Sequence, residues 1–201
     1  MTKEEIIFKV AEEEFISNGY LSTSMVTVAK RAGVTHAMVN YYFRSKEQLF
    51  LKILDSHISR FAVSLREAMH EDEVFLQNIV NAADALFKSL NADRDFLFLI
   101  QDVIRTSPEL LDRYSEGVHN AVKSVLDEHS SRLQSDIEAG RIKPATMPEI
   151  LETIFALVAS PFLMIPALEN LCRFSEEMID RYLERRRKET IEIIKARFQA
   201  V

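Results

Sequence analysis

The chain has one cysteine, no tryptophan, and only four glycines and five prolines among 201 residues. A lone Cys172 closes no internal disulfide and builds no thiolate metal cluster, so the core has to hold the fold and a reducing compartment is expected. Few glycines and prolines mean few breakpoints. With 47% hydrophobic residues and rare β-branched runs, the composition favours helices joined by brief turns, and so an all-α fold. The opening MTKEEIIFKVAEEEF is acidic and amphipathic, without the basic stretch and apolar run of a secretion signal. The longest apolar segment, Ile154 to Leu168, is short for a bilayer and carries Pro161 and Pro166; no membrane partner is expected, and the protein is read as cytoplasmic. His36, His57, His70, His119 and His129 show no metal-ligand spacing, and no catalytic triad pattern or glycine-rich phosphate loop is visible. No metal, cofactor or catalytic residue is therefore expected, and an enzyme is disfavoured.

Acidic residues are absent where they matter most. The formal net charge is −6, with 31 acids in the chain, yet none lies between Phe15 and Lys46. The same window holds Lys30, Arg31, Arg44 and Lys46, an asymmetry that marks an anion-facing surface.

Local signals divide this region into short helices. Thr2 with Glu5 forms a capping box, and Ile7, Val10, Ala11 and Phe15 recur at helical spacing up to the stop at Asn18-Gly19. Ser24 caps a short helix from about Met25 to Ala32, Gly33 breaks it, and Thr35 caps a third running to about Tyr42. Ser45 with Gln48 opens a long fourth helix. Beyond it, helices are expected near Glu73 to Leu90, Asp93 to Arg105, from Pro108, from Glu116 to Ala139, from Thr146 to a break at Pro161, and from Ser175 to Gln199.

Two short helices crossing steeply need small residues at their contact and a glycine in the turn, and Val28, Ala29, Ala32, Gly33, Val34 and Val39 fit that order. The opposite face of the third helix then presents His36, Ala37, Met38 and Tyr41, as a helix-turn-helix presents its recognition helix to DNA. Ser24, Thr35, Tyr41, Tyr42 and Lys46 are of types suited to phosphate.

The run from Ile6 to Leu54, with its F…GY…TS…VA…AGV…YYF.SKE.LF framework, resembles the DNA-binding domain of the TetR family of bacterial transcriptional regulators. The resemblance implies a three-helix DNA-binding domain over 1–48, and an all-helical effector-binding and dimerisation domain over 49–201. It also implies double-stranded operator DNA as partner, a homodimer, and a repressor released by a small apolar or amphipathic effector. Carried over by position, Ser24, Thr35, Tyr41, Tyr42 and Lys46 match phosphate contacts, while Met25, His36, Ala37 and Met38 match base-reading places. Asn40 departs from the pattern, standing where many members have a phosphate-contacting tyrosine; it is kept as a candidate contact.

The larger domain is less specific. Its expected apolar pocket draws on Phe61, Phe87, Phe98, Phe155 and Phe162, with Gln101, Arg105 and His119 as polar anchors. A dimer interface is expected from Ile154, Val158, Ile179, Tyr182, Leu183, Ile193 and Ile194. Two alternatives stand beside this reading. The larger domain could bind a protein partner or only dimerise; more distantly, the chain is a helical enzyme or lipid carrier with a borrowed helix-turn-helix.

Overall fold

The computed structural model describes residues 1–70, 74–110 and 129–200. The expected anchor His119 and the first part of the helix expected from Glu116 lie outside the described residues. The elements are helices: α1 (Lys3–Ser22), α2 (Met25–Arg31), α3 (His36–Phe43), α4 (Lys46–Ala68), α5 (Phe75–Ala92), α6 (Phe96–Thr106), α7 (Met147–Leu163), α8 (Ile165–Asn170) and α9 (Glu176–Phe198). A further helical stretch covers 129–138. The fold is all-α.

Most helix starts follow from the adjoining residues. Thr2 and Thr146 each close a full capping box, with Glu5 and Glu149 respectively. Ser24, Thr35 and Ser175 accept the N–H groups of Thr27, Met38 and Met178. α5 has no such neighbour, since Val74 supplies no side-chain cap. Buried Asp136 takes that role from a distance: its Oδ2 accepts the Phe75 N–H at 2.7 Å, and its charge is paired with Arg141.

The chain forms two compact units, with α4 supplying residues to both. The first contains residues 1–60 and the described residues from Asp95 to 110. Here α1 packs on α2, α3 and α6, and α2 packs on α3. Ile7, Ala11, Phe15, Val28, Ala29, Val39, Leu49, Phe50, Ile53 and Leu54 are buried. The Phe15 and Phe50 rings meet edge to face at 5.1 Å, and Tyr20 packs on both. A polar joint lies within this core: buried His57 places Nε2 2.9 Å from Glu12 Oε1 and Nδ1 2.7 Å from Arg60 Nη2, and its ring stacks on Phe96.

In the second unit, α9 packs on α5 and α7, and α5 packs on α7. Phe87 and Phe162 meet in its core with ring centroids 4.9 Å apart, and Arg187 of α9 pairs with Asp84 of α5. Two expectations are corrected here. α7 does not break at Pro161 but continues to Leu163, with Pro161 buried inside it. Proline removes the N–H that would bond the carbonyl four residues back, that of Leu157. The buried Thr190 hydroxyl of α9 donates to that carbonyl at 3.4 Å, supplying a replacement partner. The apolar run is also longer than expected: Met147–Asn170, 24 residues containing an 18-residue window of mean hydropathy 1.9, is long and apolar enough to cross a bilayer by length and composition. In the fold it is divided into α7 and α8, and Ile150, Ile154, Val158 and Phe162 are buried in the core.

The replacement partner makes a prediction about coupling. Thr190→Val is expected to lower unfolding stability by about 1–2 kcal/mol, by leaving a buried carbonyl unpaired. In a Pro161→Ala background, which restores an N–H at position 161, the same change should cost clearly less. Equal losses in both backgrounds, measured by urea denaturation, would disprove the compensation.

Candidate nucleic-acid interface

The turn between α2 and α3 is set by backbone hydrogen bonds. Val34 N–H donates to Ala29 O at 3.0 Å and Gly33 N–H to Lys30 O at 3.3 Å, the paired closure of a Schellman motif. Gly33 adopts φ +66°, and a Cβ there would meet nothing within 4 Å. Backbone conformation, rather than lack of space, therefore calls for glycine. Val28, Ala29 and Val39 are buried beneath the turn, as their spacing indicates.

Solvent-facing residues then fall on two helices. On and before α2, Ser24, Val26 and Thr27 are exposed and Met25 is half-buried. On and before α3, Thr35, His36, Ala37 and Asn40 are exposed and Met38 is half-buried. Tyr41 is 81% exposed, and its ring stands edge to face with half-buried Tyr42 at 5.2 Å. Asn40 Nδ2 lies 3.5 Å from His36 Nδ1, one helical turn away on the same face. Exposed Tyr41 and His36 offer donors and acceptors to a groove, and the Met38 side chain offers apolar surface of the kind that meets thymine methyls.

Two cations of the acid-free window have partners within the chain. The anions that Arg31 faces are internal: its guanidinium donates to Glu14 at 2.6 Å and to Glu13 at 2.9 Å, so it braces α2 against α1. The acids that engage it lie just before the acid-free window, out of sight of a count within it. Lys46 has a divided role. Its Nζ donates to Leu21 O at 3.0 Å and lies 4.5 Å from the Tyr20 ring centroid. Partial burial lowers its pKa from the usual lysine value. Such a shift costs stability below the folded pKa, and the cost vanishes as pH rises past the unfolded one; a docked phosphate would oppose it.

Val26 and Thr27 were not singled out in the sequence, and Arg44 was marked there only as one of the cations of the acid-free window. Val26 is 64% exposed, two positions before the buried pair Val28 and Ala29. An apolar residue two positions past the Ser24 cap was the available signal. Exposed Arg44 ends α3 at φ 57°, where its N–H donates to Asn40 O at 2.9 Å.

The family model for bacterial regulatory proteins of the tetR family matches residues 7–53, the segment that builds this helix pair and its supports. Residues 7–53 therefore form a DNA-binding segment of the tetR type. Over 148 residues it is 25% identical to the HTH-type transcriptional regulator YhgD of Bacillus subtilis (strain 168), covering 74% of this chain and 75% of YhgD. It is also 25% identical over 134 residues to the HTH-type transcriptional activator FasR of Mycolicibacterium smegmatis (strain ATCC 700084 / mc(2)155), covering 66% of this chain and 60% of FasR. In fold it matches the fatty acid degradation regulator FadR from Bacillus halodurans with a TM-score of 0.64 at 19% identity, over 96% of this chain and 95% of that one. The segment, the curated relatives and the shared fold together support a DNA-binding transcriptional regulator.

The remaining candidates are dispersed. In the first unit, Phe98 is half-buried while Gln101 and Arg105 are exposed. In the second, Phe87 and Phe162 are brought together, Phe61 is half-buried, and Phe155 is 66% exposed. Ile154, Val158, Ile179, Leu183 and Ile194 lie in the core of their own chain, whereas Tyr182 is half-buried and Ile193 exposed.

Lys46→Met is expected to weaken operator binding and to reduce the salt-dependence slope by about 1, because two ammonium protons remain for phosphate beside the one given to Leu21. Loss of thermal stability with an unchanged slope would assign Lys46 wholly to internal bracing.

Proposed function

We propose that the protein is a cytoplasmic, homodimeric repressor that leaves a palindromic operator when a small apolar or amphipathic effector binds. The observation that carries the DNA-contact assignment is the accessible face of α3, where His36, Ala37, Asn40 and Tyr41 are exposed above a buried Val39 and a fixed turn. Ser24, Thr35, Tyr41, Tyr42 and Lys46 hold phosphates, while Met25, His36, Ala37 and Met38 read bases. The functional division falls at 48/49, with DNA contacts before it and effector binding and dimerisation after it.

Two copies must set their recognition helices about 34–36 Å apart, or a multiple of that, to engage a palindrome. α7 and α9 support the dimer reading: with their inward stripes spent on the core, they still leave Leu151, Phe155, Met178 and Ile193 exposed as large apolar side chains in the single chain. The effector class draws support from the fold neighbour in Bacillus halodurans, which is a fatty acid degradation regulator. FasR is named an activator, so the sign of regulation is part of the test.

Genomic fragments selected by the protein at defined salt should share an inverted repeat. Titrating fatty acids and their acyl thioesters should weaken that binding, and operator should weaken effector binding by the same factor. Saturation with a bound effector that leaves operator affinity unchanged would sink the derepression mechanism. Phe155→Glu should shift sedimentation toward the monomer and abolish binding to the full palindrome; an unchanged dimer would remove α7 from the interface.

A further inference from the structure

α1 does not run smoothly to Ser22. Gly19 takes φ 76° and ψ 168°, a break inside the helix that turns the following N–H outward. That N–H, from Tyr20, donates to Oδ2 of Asp102 on α6 at 2.9 Å. The carboxylate lies directly over the glycine: a Cβ built on Gly19 would stand 2.8 Å from Asp102 Oδ2 and 3.2 Å from its Cγ. Gly19 is thus constrained twice, by its positive φ and by the group packed against it, whereas Gly33 is constrained by φ alone.

The break controls the path to the DNA-contacting helices. Thr23 Oγ1 lies 2.8 Å from Gly19 O and 3.1 Å from Glu14 O, sharing its proton between them, and Lys46 Nζ bonds Leu21 O. Ser24 follows at once as the cap of α2. Residues 19–23 are therefore held at both edges, and the carboxylate of Asp102 reaches them from α6. On the α6 side, Thr106 Oγ1 donates to Asp102 O at 2.7 Å, and α6 packs along α1.

We propose that Asp102 is a positioning residue for DNA binding: by receiving the Tyr20 N–H against the bare face of Gly19, it sets the direction in which the α1 break delivers Ser24 and α2. The proposal rests on the DNA-contact assignment made above. It gives α6, which carries none of the assigned DNA contacts, a direct part in operator affinity.

The test measures affinity for a selected operator fragment at several salt concentrations, together with thermal melting and exchange of the Tyr20 amide. At a temperature where melting shows the protein fully folded, Asp102→Ala should bind operator about tenfold more weakly, equivalent to about 1.4 kcal/mol. Its Tyr20 amide should exchange faster. Asp102→Asn keeps an acceptor oxygen and should recover most of the affinity. Gly19→Ala should displace the carboxylate and weaken binding as Asp102→Ala does, which keeps the test decisive if Asp102→Ala does not fold. A lowered melting temperature with wild-type operator affinity and salt slope in both the Ala and the Gly19 variants would reduce Asp102 to a structural brace and overturn the proposal. Tyr41→Phe and His36→Ala serve as the control: if they too leave operator affinity and sequence preference unchanged, the DNA-contact assignment fails, and if they weaken binding while the Asp102 and Gly19 variants do not, only the positioning role fails.

Discussion

A helix that ends must satisfy the polar groups it abandons, and the way α1 does so governs much of the first unit. The break at Gly19 releases backbone N–H and C=O groups in a half-buried place, close to the aromatic cluster of Phe15, Tyr20 and Phe50. Three side chains from three places take them up: Asp102 receives the Tyr20 N–H, Thr23 donates toward Gly19 and Glu14, and Lys46 donates to Leu21. Hydrogen bonds of this kind contribute modestly when made and cost more when a buried partner is left alone. The break therefore depends on α6, on the link that leads into α2 and on the start of α4. That interdependence gives a small helix-turn-helix a rigid mounting.

The same economy explains the charge pattern. A DNA-facing surface tolerates few acids, yet α2 still has to be anchored to α1. Glu13 and Glu14 supply the anchor from α1, and Arg31, in the last turn of α2, reaches them. The cation that a linear count assigned to DNA is neutralised internally, and Arg31 has its pKa raised chiefly by the hydrogen bond to Glu14. Asn40 fits beside this arrangement differently from a tyrosine: it is short, exposed, and close enough to His36 to affect how that ring is presented.

How much was legible in the sequence depended on distance along the chain. Caps at Thr2, Ser24, Thr35, Thr146 and Ser175 were readable because the residue and the N–H it accepts lie three positions apart. The Gly33 turn was readable for the same reason. The Asp136 cap on α5 spans 61 residues and the Asp102 bond spans 82, and no local pattern announces either. Pro161 was misread for a related cause: a proline signals a break only if the carbonyl it orphans finds no other donor, and the donor here, Thr190, lies 33 residues beyond that carbonyl. In the DNA-contacting region, residue types were readable but their burial was not, so Val26 went unmarked although it is exposed.

The second unit shows why amphipathic stripes alone could not separate a core from an interface. A stripe at helical spacing states that one face is buried, not what buries it. Ile154, Val158, Ile179, Leu183 and Ile194 are consumed within their own chain, where α5 completes the layer against α7 and α9 and the Arg187 to Asp84 pair fastens its edge. Large apolar side chains remain exposed on the same two helices, Leu151, Phe155, Met178 and Ile193, and they are the surplus left after the core is complete. Burying such side chains against another surface removes apolar area from water at roughly 25 cal/mol per Å², a gain unavailable to the isolated chain. The outer side of α9 is otherwise charged, with Arg181, Glu184, Arg185 and Lys188 exposed, so any partner that covers these apolar side chains must also meet a polar rim.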